Sequence, residues 1–347
     1  MLEFSDKSAQ ARDWAMKKTT LLLIVVVVMH LPVGVIAHAQ QAGKVFRIGF
    51  LDNSTAPSMA VLLEAFRQEL SKLGWIEGKN ITIEYRFAEQ KPERIPELAG
   101  ELVSLKVDLI VVSATGPALA AKSATTTIPI VMTSASDPVG AGLVASLARP
   151  GGNVTGFSGL AGQLNTKRLE ILKDAVPKLA RVGFLSGPRD RFSKALDLQL
   201  KELRPAVMAL KLKLEEIEAQ LDAKGLESAF QTAKQKQVGA IMTTASPFFF
   251  AERKRIVELA GKHRLPAIYP DKEFVDEGGL MSYGADYDYL YRRAAVYVDK
   301  ILKGTKPTDL PVEQPKKFDF VINLKAAKQI GLTIPPNVLV RADKVIR

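Results

Sequence analysis

No cysteine occurs in the 347 residues. That excludes a disulfide framework, a thiolate metal site and a lipid-modified cysteine at a processing site. An exported chain without cysteine needs no oxidative folding, so the absence is compatible with export. Histidine is scarce as well: His30, His38 and His263 are the three present. The first two lie in the N-terminal segment, and His263 stands alone on the charged stretch "AERKRIVELAGKHR". No His–Ser–acid trio, cysteine nucleophile or metal-ligand cluster can be assembled from this set, so neither an enzyme nor a metal site is expected. Phosphate-binding loops are missing too. "GPALAAK" lacks the glycine spacing of Gly-x-x-x-x-Gly-Lys, and no Gly-x-Gly-x-x-Gly follows the first strand. No cofactor is expected.

What is present reads as globular, with 47% hydrophobic and 24% charged residues and a length suited to two domains. "MKK" (16–18) precedes the apolar run "TTLLLIVVVVMHLPVGVIAHAQ", which ends in Ala37-x-Ala39. A basic start, an apolar middle and small residues at the end make a cleavable signal peptide over residues 1–39, with Met16 a second candidate initiator. The unbroken run Leu21–Met29 is short for a membrane span. Cleavage after Ala39 and a periplasmic location are expected. The net charge is +11, and residues 1–39 carry four basic and three acidic residues, so the remainder keeps +10. These charges alternate along helices with no aromatic-interleaved basic stripe. They describe a solvated surface, and no nucleic-acid partner is expected.

From Val45 onward short apolar strands alternate with amphipathic helices. Strands are expected over 45–52, 80–88, 107–114, 128–135, 180–187, 211–219, 239–246, 266–270, 278–284 and 317–323. Helices are expected between them, including 57–74, 137–148, 192–209, 250–263 and 287–303, with a tail after the last. Near-continuous Val/Ile/Leu strands argue parallel sheets covered on both faces. "RVGFLSG" echoes "RIGFLDN", and there are too many strands for one sheet. The expected class is α/β, with two Rossmann-like lobes.

Ligands of open parallel sheets sit beyond the carboxyl ends of the strands. Those ends supply Asp52 and Asn53, Ser113, Thr115 and Gly116, Ser134 and Asp137, Ser186, Ser246, Tyr269, and Tyr283 followed by Asp286. "SATGPALAAK" is the sharpest feature: Thr115 or Gly116 suits a helix cap, and free amides there suit an anion such as a carboxylate. Ser113 and Thr115 would add hydroxyl donors. Asp137 and Asp286 compete as partners of an ammonium group, and each suits a turn or helix cap equally well. Tyr269, Tyr283 and the aromatics of "PFFFAERK" could pack an apolar side chain or belong to the core.

"KVDLIVVSATGPALAAKSATTTIPIVMTSASDPVGAGLVASLARPGGNVTGFSGL", "LSKLGWIEGKNITIEYRFAE", "RLPAIYPDKEFVDEGGLMSYGADY" and "FVINLKAAKQIGLTIP" together resemble the periplasmic substrate-binding proteins of ABC transporters, tryptophan/tyrosine type. The resemblance covers about Val45 to Arg347. It implies a type I periplasmic-binding fold whose lobes, joined by three crossing segments, close on a ligand. The first lobe would hold 44–156 and 281–312, the second 157–280 and 313–347, with crossings near Asn153–Phe157, Gly279–Ser282 and Pro311–Lys316. It further implies a monomer that captures a small solute, an amino acid or similar carboxylate, and delivers it to an ABC permease in the inner membrane. Some relatives are lipoproteins, and the missing cysteine departs from that. A periplasmic sensor would use the same fold. A sugar-responsive repressor would need a DNA-binding headpiece where the signal segment stands.

Overall fold

The computed structural model describes residues 44–189 and 194–347. The signal-peptide reading and the first residues of the helix expected from 192 lie outside the described residues. Two sheets organise the chain from Val45 to Arg347. The first holds β1 (Phe46–Asp52), β2 (Ile81–Phe87), β3 (Leu109–Val112), β4 (Ile130–Ala135) and β5 (Val154–Ser158), all parallel, in the order β2-β1-β3-β4-β5. The second holds β6 (Arg181–Ser186), β7 (Lys213–Glu218), β8 (Ala240–Thr243), β9 (Ala267–Tyr269), β10 (Met281–Ala285), β11 (Phe318–Asn323) and β12 (Lys344–Ile346), in the order β12-β11-β10-β9-β8-β6-β7. The helices are α1 (Ala56–Lys72), α2 (Ile95–Ser104), α3 (Thr115–Ala124), α4 (Ala161–Ala175), α5 (Lys194–Ala209), α6 (Ala223–Gln235), α7 (Pro247–Ala251), α8 (Arg253–Lys262), α9 (Glu273–Asp276), α10 (Tyr287–Leu302), α11 (Leu324–Ile330) and α12 (Pro336–Leu339).

Local chemistry explains the elements. All four residues of β3, "LIVV", are buried, as a central strand covered on both faces requires. Thr55 and Ser58 form a capping box at the start of α1, satisfying amides the helix leaves free. Asp286 accepts from the Tyr289 amide at 3.0 Å and starts α10. Each sheet carries apolar cores on both faces. In the first lobe α1 and α10 cover one face through Phe66, Leu290 and Tyr291, while α2 and α3 cover the other through Leu102 and Ala118. In the second, α4 and α5 pack Leu169 and Leu200 on one face, and α6 to α8 pack Phe230 and Ile256 on the other.

The chain passes between the sheets three times. It leaves β5 after Ser158 and enters α4, turning at Leu160 with φ +52°. It returns from β10 into α10, which packs on α1. It leaves again at Glu313, whose amide donates to the Gly156 carbonyl and whose carbonyl accepts from the Ser158 amide, both at 2.9 Å. The first and third crossings are therefore hydrogen-bonded side by side. Gly156 sits there with φ +125°, and a β-carbon on it would overlap the Met132 backbone.

Several expectations are corrected. Residues 281–286 do not join the first lobe. β10 pairs with β9 and β11 in the second sheet, so the middle crossing falls at Ala285–Tyr287 rather than Gly279–Ser282. The β10–β11 pair is antiparallel, so that sheet is not wholly parallel. Val154–Ser158 is strand β5 rather than a crossing segment. The helix expected over 137–148 is a series of turns, because Gly140 and Gly142 (φ +77°) favour turns over helix. The expected helix 250–263 is two, α7 and α8, meeting at Glu252. The tail folds as α12 and β12, the latter paired with β11.

Candidate functional site

The carboxyl ends of β1, β3, β4, β8 and β9 converge on one cleft. Within it lies a cavity with walls from both lobes. The first lobe contributes Asp52, Ser113, Ala114, Ser134 and Ser136, with Met59 and Leu62 of α1 above them. The second contributes Ala245, Ser246, Phe250 and Asp271. Gly159 and Ala161 line it from the first crossing, and Tyr287 and Tyr291 from the start of α10. No lysine, arginine or histidine stands among these lining residues. A wider, more open space adjoins it across Ala114, Ala245 and Ser246.

Asp52 ends β1 with no solvent exposure. Its Oδ1 accepts from the Ser54 amide at 2.6 Å and from the Ser54 hydroxyl. Its other partner is the buried Ser113 hydroxyl beside it. Burial pushes the Asp52 carboxyl above its ordinary range, against the lowering pull of the serine hydroxyls.

Asp271 faces the same cavity from the other lobe. It follows β9 through Pro270, and Gly284 of β10 lets that turn come close: a β-carbon there would overlap the Pro270 carbonyl. Burial raises the Asp271 carboxyl to about 7, with Glu273 adding to the rise and Arg168 and Arg253 opposing it. Arg168, on α4, is wholly buried. Its Nε donates to the Tyr283 carbonyl and its Nη1 to Asn165 Oδ1, each at 2.6 Å, while Nη2 has no partner. Burial pulls its guanidinium below the usual value, and Tyr287 and Asp271 pull the other way. The phenols of Tyr287 and Tyr291 are pushed up, chiefly by burial. They are neutral donors at the cavity wall.

The structure sorts the residues expected from sequence. Asp52, Ser113, Ser134 and Ser246 line the cavity together. Asn53, Gly116 and Ser186 line the adjoining space, with Asn53 Oδ1 unpartnered. Thr115 lines neither space: its Oγ1 accepts from the Ser136 amide at 3.0 Å and braces β4 against α3, whose cap is Ala114. Asp137 caps a turn by accepting from the Gly140 amide at 2.8 Å, in a separate surface hollow. Asp286 is spent on the start of α10 and faces a small hollow beside Lys272. Tyr269 stacks on Phe274 in the second lobe's core, with centroids 4.6 Å apart. Tyr283 packs between Phe318 and Phe320. Sequence reasoning missed Met59, Leu62, Asp271, Tyr287 and Tyr291. Asp271 carries a signal that could have found it, an acid two residues past a strand's carboxyl end.

Comparison with known proteins gives the family. Residues 48–346 match the model of the ABC transporter substrate binding protein family, and the chain belongs to it. A tyrosine-binding protein from Clostridioides difficile (strain R20291) is 28% identical over 276 residues, covering 80% of this chain and 78% of that protein. A conserved domain protein from Vibrio cholerae superposes with a TM-score of 0.79 at 31% identity, covering 87% of this chain and 100% of that one. An ABC domain from Streptococcus pneumonia in complex with L-Trp gives 0.77 at 27% identity, covering 88% and 100%. A ligand-free, open substrate-binding protein with adhesive properties from Clostridium difficile gives 0.60, also at 27% identity, covering 87% and 99%. At equal identity this chain is closer in shape to the L-Trp complex than to the open structure. Its α7 meets α1 across the cleft, and Phe250, Met59 and Leu62 wall the same cavity.

Proposed function

We propose that this chain is the exported solute-binding protein of an ABC importer, capturing a small amino acid with an apolar or aromatic side chain and delivering it to an inner-membrane permease. One observation carries the reading: a cavity walled by both lobes sets the polar groups of Asp52 and Ser113 beside apolar and aromatic surface. Met59, Leu62, Phe250, Tyr287 and Tyr291 would pack the side chain. The first amides of α3, free because no preceding turn supplies their carbonyls, would receive the carboxylate together with Ser113. The tyrosine-binding and L-Trp-bound relatives support an aromatic amino acid. Capture would proceed by rotation of the lobes about the three crossings, a hinge closure that favours the closed form through ligand contacts on both sides.

A thermal-shift screen of the chain lacking residues 1–39 against amino acids, small carboxylates, amides and sugars, followed by calorimetry, tests the reading. A rise in melting temperature with L-tryptophan or L-tyrosine is expected; a response confined to sugars would contradict it. The export part of the proposal predicts a mature chain in the periplasm that begins at Gln40. Mass spectrometry that found only the full-length chain in the membrane fraction would count against it.

A further inference from the structure

We propose that Glu313 is a positioning residue of the hinge: it clamps the third crossing to the first lobe, so that bending is confined to Leu160 in the first crossing and to residues 314–317 in the third. The inference rests on the lobe closure proposed above and names the residue that sets where it bends. The Glu313 side chain is held from α10. Its Oε1 accepts from Arg293 Nη2 at 2.7 Å and lies 3.0 Å from the Tyr297 hydroxyl. That hydroxyl is also 2.7 Å from the Pro311 carbonyl, so its one proton is shared between two residues of the crossing. Burial, and then the Glu313 charge, push the Tyr297 phenol above its ordinary range and keep it a neutral donor. Its ring packs on Phe157 of β5, with centroids 4.9 Å apart. The Glu313 main chain is tied to the same strand through Gly156 and Ser158. Just before it, the Thr155 hydroxyl donates to the Leu310 carbonyl at 2.6 Å and the Val312 amide to the Leu147 carbonyl at 2.7 Å. Residues 310–313 therefore belong to the first lobe.

Beyond Glu313 the anchoring stops. Among the described residues, 314–317 make no backbone hydrogen bond, and pairing resumes at Phe318 in β11. The first crossing has a matching break. The Gly159 amide still donates to the Ala135 carbonyl at 2.6 Å, and α4 begins at Ala161. Leu160 stands between them at φ +52°, a conformation uncommon for a residue with a side chain. Leu160 and Gln314 line one surface hollow, so the two bending points are neighbours. Closing the lobes costs the freedom the crossings have in the open form. A clamp at Glu313 keeps that freedom small and makes the first and third crossings turn together. Without it the third crossing bends from Pro311 onward, the ligand-free ensemble widens, and a ligand must order more chain to hold the closed form.

Hydrogen exchange and small-angle scattering on the ligand-free chain lacking residues 1–39 test the clamp without any ligand. Glu313→Ala should speed exchange of the Ser158 and Glu313 amides by about fivefold or more and raise the radius of gyration. Tyr297→Phe, which keeps the ring on Phe157, should move both in the same direction. Glu313→Gln keeps an acceptor for Arg293 and Tyr297 and should stay within about twofold of wild type. Asp174→Ala, which breaks the 2.6 Å pair with Arg341 in the second lobe, is the control and should leave the crossings unchanged. With L-tryptophan as probe, calorimetry should show Glu313→Ala weaker by about 3–10-fold and Glu313→Gln unchanged. Unaltered exchange in both Glu313→Ala and Tyr297→Phe overturns the inference. So does faster exchange spread evenly over both lobes, which is what a merely structural brace would give, or an affinity unchanged by Glu313→Ala. Faster exchange confined to the crossings, in a chain that does not bind L-tryptophan, supports the clamp and counts against the amino-acid reading alone.

Discussion

Arg168 Nε donates to the Tyr283 carbonyl over 2.6 Å, joining the helix that follows the first crossing to the strand that precedes the second. The guanidinium is wholly buried and also holds Asn165, which in turn donates to Gln199 at 2.9 Å. We predict that Arg168→Met lowers the unfolding free energy by about 2–4 kcal/mol, the range for losing charged hydrogen bonds in a buried network. Urea unfolding of the ligand-free chain reads it. A loss below about 0.5 kcal/mol would show that Arg168 does not brace this lobe.

The pH dependence of stability follows from Asp271. Its carboxyl lies near the ordinary 3.8 in the unfolded chain and at about 7 in the folded one. Between those values the folded form holds a proton the unfolded form has lost. This stabilisation is complete below about pH 4 and is lost as pH rises through about 7. The raised Asp52 carboxyl acts in the same direction. We predict that the ligand-free chain loses stability between about pH 4 and 7 beyond what the ordinary surface acids give, and that Asp271→Asn flattens the slope. A wild-type slope unchanged by Asp271→Asn would contradict this assignment.

Ser113 and Thr115 are predicted to separate. Ser113 lines the cavity with its hydroxyl beside Asp52, so Ser113→Ala should weaken amino-acid binding by about 1–3 kcal/mol with little change in melting temperature. Thr115 uses its hydroxyl on the Ser136 amide, so Thr115→Val should cost about 1 kcal/mol or more of stability first. Calorimetry paired with thermal melts decides between them. Identical behaviour of the two variants would return both residues to one role.

Much of this architecture is legible in the sequence because its signals are local. Strands such as "LIVV" and "RVGFLS" announce buried parallel sheet, and the carboxyl ends that bear Asp52, Ser113, Ser134 and Ser246 do meet at one cavity. The remainder depends on pairings between distant residues. Nothing in "MSYGA" says that it pairs antiparallel with "FDFVIN", so the middle crossing is misplaced from sequence by several residues. Asp137 and Asp286 resemble ligand acids as closely as Asp271 does, and only the amides of Gly140 and Tyr289 show that the first two are already engaged. Tyr287 and Tyr291 sit a turn apart on an amphipathic helix, where core packing hides their contact with the cavity.

Closure of two lobes on a solute is the centre of this account, and small-angle scattering tests it most directly. The chain lacking residues 1–39 would be measured alone and with saturating L-tryptophan, with calorimetry on the same samples to establish occupancy. The account predicts a clear fall in radius of gyration on binding. An unchanged profile at full occupancy would contradict it.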